Sequence, residues 1–446
     1  MPPKQQPKTA GKGSKKGGDD IDAILSEYTK QVKKDVAASS STAGGAAAAP
    51  PSASLTLIDR KRSHQALKEQ QEREKASAAE RQIEQRLQHQ KLQAMLKALM
   101  EQPRPFLNSP STALSGTHAA SAHLTCGWGA MQGWRVNMED AHIMLPDFAS
   151  SLAPLLPTPA SPTTPSNVDL SKARGLFAVF DGHSGDQAAK KCGAALPALI
   201  ATSIRDHYGA AIGGLSSPAP LLARQVEGCD VPFPCDGGAG VILHNAYKRL
   251  DDALLNKVTD DSGATAVTVI VTDKHVVCAS VGDSRAVLCR KDGKATPLSF
   301  DHKPDDAEEK ARIEAAGGSV SSNRVNGRLA MSRAVGDHSY KADKGLPYDK
   351  QLVTCVPDVR IAPLQEAGVP MYDYLIVACD GIFDVLSNDE LCQLVKSKLA
   401  AMPSVAGPQL VTCCHDICNH CLAPSGPEGP TRAHGTDNMT IIVVRL

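Results

Sequence analysis

The stretch FAVFDGHSG, Phe177–Gly185, starts as a buried strand and ends in polar residues. Apolar and small side chains run up to Phe180, and Asp181, Gly182 and His183 follow at once. Burying a carboxylate or an imidazole costs free energy unless the group is paired. A single acid here is readily explained as a turn residue, because Asp-Gly is a common turn pair. A functional role requires that other strands of the chain end in the same way.

Further segments also deliver an acid to the end of a strand-like run. They are YLIVACDGIFD with Asp380 and Asp384, VVCASVGDSRAV with Asp283, HGTDNMTIIVV with Asp437, and WRVNMEDAH with Glu139 and Asp140. If these strand ends meet on one rim, their carboxylates repel one another strongly at low dielectric. A bound hard cation would remove that repulsion. Oxygen ligands without an accompanying set of cysteines and histidines indicate magnesium or manganese. Several carboxylates can hold two metals with a bridging aspartate, as in phosphatases and nucleases.

The charge balance argues against nucleic-acid binding by the chain as a whole. The 446 residues include 48 Lys plus Arg and 48 Asp plus Glu, so the formal net charge is zero. A basic stripe of the kind that binds nucleic acid is not apparent. The sequence also shows no apolar run as long as a membrane span and no apolar core of a secretory signal at its start. We therefore expect a protein of the cytoplasm, the nucleus or both.

The distribution of the cysteines also indicates the cytoplasm or the nucleus. Their number is odd, 13, and several lie inside apolar runs, such as Cys278 and Cys289. That distribution suits buried thiols in a reducing environment. The one dense group, CCHDICNHC at Cys413–Cys421, has two interpretations: a zinc site, or an amphipathic helix that uses cysteine as a small apolar residue. The spacing matches none of the usual zinc patterns and favours the helix.

Composition divides the chain into three parts. Residues 1–57 are rich in Lys, Gly, Ala, Ser and Pro and are expected to be a disordered tail. Residues 58–106 predict a long charged helix and linker, either solvated or docked on the domain that follows, with a surface for a protein partner. Residues 107–446 form that domain, interrupted by Pro- and Ser-rich surface insertions near residues 146–171 and 213–240.

Within this last part, short apolar and β-branched runs alternate with glycine turns. Several strands follow one another closely, which predicts antiparallel pairing, and the helical patterns occur in separate runs. One such pattern, DAEEKARIEAAGG at Asp306–Gly318, ends in a glycine C-cap signal. The elements therefore predict an α+β fold.

From about residue 123 to the C-terminus, the chain closely resembles the type 2C family of metal-dependent protein serine/threonine phosphatases. The resemblance rests on motifs that follow the family's order: GWRVNMEDAH, FAVFDGHSG, SGATAV, SVGDSRAVL, DHKPDD, RVNGRLAMSRAVGD, ACDGIFDVLSNDE and GTDNMTIIVV. It implies a four-layer sandwich of two mostly antiparallel β-sheets flanked by α-helices. It also implies hydrolysis of phosphoserine and phosphothreonine by direct attack of a metal-activated water, without a phosphoenzyme.

The resemblance further implies the site residues. Two Mg²⁺ or Mn²⁺ ions would be held by Asp181, Asp380, Asp437 and the backbone carbonyl of Gly182, with Asp181 bridging them. Glu139 would contact the site mainly through water, and Asp283 and Asp384 match positions tied to a third, weaker metal. Arg135 matches the phosphate-binding arginine, whose planar donor fork suits two phosphate oxygens. His183 matches the general acid that protonates the departing alkoxide.

The chain departs from the family pattern at Phe383, where tryptophan is usual. The change alters packing near the site and removes no ligand. The segment from about His302 to Lys341 resembles the flap beside the site, where family members differ in substrate choice. Two alternatives stay open: a catalytically weak scaffold of the same fold, or another two-metal phosphohydrolase such as a nuclease or a small-molecule phosphatase.

Overall fold

Two antiparallel β-sheets pack face to face in this computed structural model, and helices cover the outer face of each. The structure describes residues 65, 68, 106–152, 168–209, 237–255, 257–424 and 434–446. The predicted tail, the predicted long helix apart from Gln65 and Lys68, and the central parts of both predicted insertions lie outside the described residues.

The elements are named here in chain order. They are β1 (Phe106–Ser115), β2 (His118–Ala120), β3 (Thr125–Arg135), β4 (Ala141–Leu145), α1 (Phe148–Leu152), β5 (Gly175–Phe180), β6 (Gly182–His183), α2 (Gln187–Gly209), α3 (Gly237–Leu254), β7 (Gly263–Ala264), β8 (Ala266–Val271), β9 (His275–Val281), β10 (Arg285–Arg290), β11 (Ala295–Pro297), α4 (Ala307–Ala315), β12 (Val320–Ser321), β13 (Arg324–Val325), β14 (Val335–Gly336), β15 (Asp358–Pro363), β16 (Gln365–Glu366), β17 (Val369–Pro370), β18 (Tyr372–Ala378), α5 (Asp380–Phe383), α6 (Asn388–Ala400), α7 (Gly407–Cys421) and β19 (Met439–Arg445).

Every strand pair of the two large sheets is antiparallel. The first sheet runs β1-β3-β19-β18-β10-β11, with β2 also paired to β3. The second sheet runs β15-β9-β8-β5-β4. A small sheet, β14-β7-β6, lies at the end of β5, because β6 begins two residues after that strand. The predicted strands VVCASV, AVLCR, YLIVA and MTIIVVR are confirmed as β9, β10, β18 and β19.

Side-chain alternation divides the apolar residues among three layers of core. Between the sheets, Phe177 and Val179 of β5 pack with Val377 of β18 and Ile442 of β19. The intervening residues of the same strands point outward, where α2 and α3 cover the second sheet, and α6 and α7 cover the first. Each fully buried large apolar side chain contributes roughly 1.5–3 kcal/mol. The predicted four-layer α+β sandwich is confirmed.

Three patterns noted in the sequence can be compared with the helices of the structure. The cysteine-rich segment forms α7, whose cysteines face the first sheet as buried apolar residues, which agrees with the helix interpretation. Helix α4 ends at Ala315, and Gly317 follows with a φ of +80°. Helix α3 begins at Gly237, inside the end of the second predicted insertion. None of the described helices is both long enough and apolar enough to cross a membrane.

Candidate metal centre and phosphate site

Antiparallel register in the second sheet brings two acids side by side. Ala141 pairs with Phe180, so Asp140, just before β4, lies next to Asp181, just after β5. Carboxylate oxygens of both residues and Sγ of Cys379 lie within 4.8 Å of one another. The strand-end aspartate of FAVFDG is therefore part of a group of ligand atoms, and not an isolated turn residue.

The first sheet delivers three more acids to the same rim. Asp380 is the first residue of α5, directly after β18, and Asp437 precedes β19, which pairs with β18. The turn between β9 and β10 carries Asp283. Burial, and then repulsion from Asp283 and Asp437, raise the pKa of Asp380, so the charges of these carboxylates act on one another at the rim.

Hydrogen bonds join the two sheets at this rim. Thr440 Oγ1 of β19 donates to Asp140 Oδ2 at 2.6 Å. The backbone amide of Glu139 donates to Asn438 Oδ1 at 2.8 Å, and Asn438 Nδ2 donates to the carbonyls of Gln132 and Asn137 at 2.9 and 3.0 Å. These bonds fix the segment Arg135–Asp140, which connects β3 of the first sheet to β4 of the second, against the start of β19.

The acids destabilise one another's charged forms. Burial, and then the neighbouring carboxylates of Asp380, Asp140, Asp437 and Asp283, raise the pKa of Asp181 well above its usual range. Burial is also the first cause of the rise at Asp380 and at Asp140, whose pKa is raised to about 7. Such a group of carboxylates ionises fully only when positive charge is supplied to it.

The donor atoms of this group fit hard divalent cations. One carboxylate oxygen each of Asp140, Asp283 and Asp380 is buried without a hydrogen-bond partner among the described residues. A buried acceptor without a partner is costly, and a cation offers it one. The single sulfur, Cys379 Sγ, already accepts from the amide of Thr440 at 3.1 Å. The available set is thus oxygen-rich, as Mg²⁺ and Mn²⁺ prefer.

Arg135 lies at the end of β3 on the same rim. Its guanidinium forms an ion pair with the carboxylate of Asp437, and its side chain is 45% exposed. Exposure leaves the donor fork open to solvent on one side while Asp437 fixes its position. An arginine so placed can bind two oxygens of a phosphoryl group presented to the acids.

His183 is held by a carboxylate that the sequence analysis did not single out. Nε2 of His183 lies 2.7 Å from Oδ2 of Asp337, which is buried and adopts a left-handed conformation with φ of 51°. Gly263 of β7 lies against this contact, and a Cβ atom there would clash with both side chains. Nδ1 of His183 is buried and has no partner among the described residues. Burial lowers the pKa of His183, but Asp337 more than compensates, so the net shift is upward.

The other predicted site residues lie around this group. Gly182 follows Asp181, and a Cβ at Gly182 would clash with the backbone carbonyl of Glu139, so the close approach of these segments requires glycine. Glu139 is half-buried and contributes to the upward pKa shift of His183. Asp384 forms the C-cap of α5 and is exposed. Phe383 is buried in the core beneath α5, with the Arg285 guanidinium 5.2 Å from its ring centroid.

Sequence reasoning missed several contributors. From the sequence, Asp140 is only a neighbour of the predicted site residue Glu139, whereas the structure brings both residues to the rim. The motifs SRAVGD and DHKPDD contain Asp337 and Lys303, but neither residue is predicted as part of the site. Thr265 in SGATAV also contributes, because its amide donates to the Asp181 carbonyl at 2.9 Å and its Oγ1 accepts from the Asp181 amide at 3.3 Å. The contact of Asp337 with His183 follows from the pairing of β6, β7 and β14, which the sequence does not reveal.

Comparison with known proteins gives one consistent result. The sequence profile of the family described as Protein phosphatase 2C matches residues 124–426. Protein phosphatase 2C homolog 2 of Schizosaccharomyces pombe is 38% identical over 322 residues, which cover 71% of this chain and 72% of that protein. Protein phosphatase 1B of Mus musculus is 35% identical over 339 residues, covering 76% and 74%. The solved serine-threonine phosphatase 2C from Toxoplasma gondii shares the fold, with a TM-score of 0.51, 20% identity, and coverage of 75% of this chain and 99% of that chain.

Proposed function

The chain belongs to the protein phosphatase 2C family and is a metal-dependent protein serine/threonine phosphatase, and we propose that its reaction takes place at the rim formed by Asp181, Asp380 and Asp437. Its substrates are phosphorylated proteins. The observation that carries the proposal is the group of buried carboxylates with unpartnered oxygens at the meeting ends of two sheets. A buried group of this kind is a cost to folding unless it serves to bind cations.

Two Mg²⁺ or Mn²⁺ ions are the proposed cofactors. Asp181, Asp380, Asp437 and the carbonyl of Gly182 would hold them, with Asp140 and Glu139 beside them, and Asp283 and Asp384 would hold a weaker third ion. When bound, the ions supply Lewis acidity that activates a water for direct attack on phosphorus and neutralises phosphoryl charge. The eleven cysteines that the structure describes are all buried, which supports a water rather than a thiol as nucleophile.

Arg135 is proposed to bind the phosphoryl group of the substrate. Its guanidinium is exposed on one side and held by Asp437 on the other. Two parallel N–H donors can therefore meet two phosphoryl oxygens without a large movement of the side chain. Because phosphoryl charge shifts during transfer, the same contact stabilises the transition state.

His183 is proposed to supply the proton that the serine or threonine alkoxide needs as it leaves. Asp337 fixes the ring through Nε2, and Gly263 allows that contact. If Nε2 donates the proton, the leaving oxygen of the substrate must replace Asp337 as its hydrogen-bond partner. If Nδ1 donates the proton, that oxygen must reach a nitrogen that is buried in this structure. Catalytic hydrogen bonds of this kind commonly form only when substrate is bound.

We also propose that the protein works in the cytoplasm, the nucleus or both, and that residues 58–106 bind a protein partner. Buried free thiols support a reducing compartment. The length and charge of the predicted helix support a binding surface.

The assignment of the rim is tested with a phosphothreonine peptide. Activity should require added Mg²⁺ or Mn²⁺ and should disappear with a chelator. Asp380→Asn should lose turnover by a factor of a hundred or more, on the order expected for a lost metal ligand. Asp252→Asn, an exposed acid of α3 paired with Lys248, is the matched control and should keep full activity. Full activity of Asp380→Asn would refute the assignment.

A further inference from the structure

The carboxylate of Asp283 forms an ion pair with a lysine of the same chain. The Lys303 ammonium donates to Asp283 Oδ2 at 2.6 Å, and the Asp283 side chain is only 4% exposed. Among the hydrogen bonds of the described residues, no other cation contacts this carboxylate. Its other oxygen, Oδ1, is buried without a partner. Asp283 therefore has one oxygen committed to lysine and one still available.

The backbone holds Lys303 firmly in this position. The preceding residue, His302, is fully buried, and its Nδ1 accepts from the amide of Gly282 at 3.1 Å. The His302 amide donates to the Gly282 carbonyl at 3.0 Å, and Ser332 Oγ donates to the His302 carbonyl at 3.0 Å. Gly282 is the residue before Asp283. Hydrogen bonds between His302 and Gly282 thus hold Lys303 beside the turn that carries Asp283. The chain therefore loses little conformational entropy when the ion pair forms.

The Lys303 ammonium hydrogen-bonds Asp283 rather than Asp301, which is only two residues away in sequence. Asp301 lies 3.9 Å from the ammonium, but Arg285 already donates to both of its oxygens, at 2.6 and 2.9 Å. Burial lowers the pKa of Lys303, but Asp283, and then Asp301 and Asp380, raise it, so the net shift is upward. Lys303 also opposes the upward pKa shift of Asp384, so its charge reaches both acids.

We propose that the Lys303 ammonium is a tethered counter-ion of Asp283 that competes with a third divalent cation for this carboxylate. The inference rests on the proposed function, because it takes Asp283 and Asp384 as the position of that third ion. A divalent cation binding at Asp283 must displace the ammonium or accept its repulsion at short range. Lys303 thereby keeps the third position weaker than the two at Asp181.

The first test counts bound Mn²⁺ by isothermal titration calorimetry on the full chain. Lys303→Met should bind the weakest Mn²⁺ at least about tenfold more tightly than the wild type, because a competing positive charge is gone. The two tighter ions should be unchanged. Lys303→Arg, which keeps the charge, should stay close to the wild type. Lys310→Met is the matched control, since Lys310 is an exposed lysine of α4.

The second test measures thermal unfolding with and without Mn²⁺, and is independent of turnover. Without metal, Lys303→Met should unfold at a lower temperature than the wild type, because it leaves Asp283 buried and unpaired. Added Mn²⁺ should raise the melting temperature of Lys303→Met by more than that of the wild type, since binding to the folded state stabilises it. In Asp283→Asn, the further substitution Lys303→Met should change neither the weak Mn²⁺ affinity nor the Mn²⁺-induced shift.

Two results would overturn the inference: an unchanged or lower affinity of the weakest Mn²⁺ in Lys303→Met, or equal tightening in Lys310→Met. Failure of the proposed function gives a different pattern, in which Asp181→Asn leaves the two tight Mn²⁺ ions in place. The two ideas therefore fail separately.

Discussion

At the scale of single residues, the rim shows how unfavourably placed carboxylates form a candidate metal site. Asp181 and Asp380 are unfavourable at the ends of buried strands because burial and mutual repulsion raise their pKa values. Neither Arg135 nor Lys303 can compensate all of these charges, since each hydrogen-bonds a single acid of the rim, Asp437 and Asp283 respectively. Divalent cations can supply the positive charge that these two side chains do not, in agreement with the metal dependence of the family.

His183→Gln tests the proposed proton donor. Serine and threonine alkoxides are strongly basic and need a proton as the bond breaks, whereas nitrophenolate can leave without one. We expect hydrolysis of a phosphothreonine peptide to slow on the order of a hundredfold, with a much smaller loss on nitrophenyl phosphate. Arg135→Ala is the comparison, because it should weaken binding of both substrates. Equal losses on the two substrates in His183→Gln would make the histidine a structural residue.

The residue scale is also where sequence reasoning reached its limit. A metal site at one rim of the sheets could be predicted, because acids recur at strand ends and the sequence alone shows that pattern. The position of Asp140 next to Asp181 could not be predicted, since it depends on the register that sets Ala141 opposite Phe180. Asp337 is distant from His183 in sequence, and its contact depends on a left-handed backbone conformation that nothing in the local sequence demands.

At the scale of elements, the small sheet β14-β7-β6 places Asp337 over His183. His183 pairs with Gly263, and Gly263 pairs with Gly336, the residue before Asp337. A buried ion pair supports this arrangement from α3: Lys341 donates to Asp251 Oδ1 at 2.6 Å, and Asp251 Oδ1 also accepts from the amide of Gly336 at 2.8 Å. The geometry of the histidine thus depends on a helix on the outside of the second sheet.

Gly263→Ala tests this small sheet directly. The added methyl group would clash with Asp337 and His183, so the two side chains must separate. We expect about a tenfold or greater loss of turnover on a phosphothreonine peptide, a smaller loss on nitrophenyl phosphate, and unchanged Mn²⁺ affinity. Gly240→Ala in α3 is the control, because nothing lies within 4 Å of its added Cβ. Wild-type turnover in Gly263→Ala would show that the contact does not matter.

A buried charge network joins α4 to the chain near β15. Glu309, with a side chain 2% exposed, accepts from Arg312 and Arg333, each at 2.6 Å, and Arg333 also donates to Asp358 at 2.8 Å. Burial alone would raise the pKa of Glu309, but the two arginines hold it below its ordinary value. A depressed pKa contributes stability that is present above the unfolded value, about 4.3, and is lost as pH falls below it.

Glu309→Gln should therefore destabilise the protein by roughly 3–5 kcal/mol at pH 7, because it leaves two buried arginines short of a partner. The difference from the wild type should shrink as pH falls from 5 towards 3, since only the wild type loses this contribution on protonation. Urea unfolding across that range measures it. Glu314→Gln, an exposed acid on the same helix, should change stability little at any pH. A pH-independent difference in Glu309→Gln would contradict the depressed pKa.

At the scale of the whole molecule, Pro105–Leu446 forms one compact unit. Its first strand, β1, pairs with β3 from Phe106 opposite Arg135 to Ser115 opposite Ala130. A chain truncated to Pro105–Leu446 should therefore keep its activity on peptides and its melting temperature. A chain that starts at His123 lacks β1 and β2 and exposes the edge of β3, so it should melt at a lower temperature and bind phosphate more weakly. Loss of activity in Pro105–Leu446 would give the residues before Pro105 a structural role.

The architecture was more accessible from the sequence than the site details were. Antiparallel pairing follows from strands such as β8 and β9 joined by short turns, and the helices follow from their apolar periodicity. The order of strands within each sheet does not follow, because β3, near the start of the unit, pairs with β19 at its end. The resemblance to known phosphatases implies two stacked sheets flanked by helices, but the pairing of β3 with β19 is seen only in the structure.

The central claim is that Asp181, Asp380 and Asp437 together hold the metals of this phosphatase. Anomalous diffraction from crystals soaked in Mn²⁺ tests it most directly, because it locates the ions independently of turnover. We expect two strong manganese peaks at the rim, both in contact with Asp181, with one or both also contacting Asp380 or Asp437. Strong peaks at another site, such as the cysteines of α7, with none at Asp181 would contradict it.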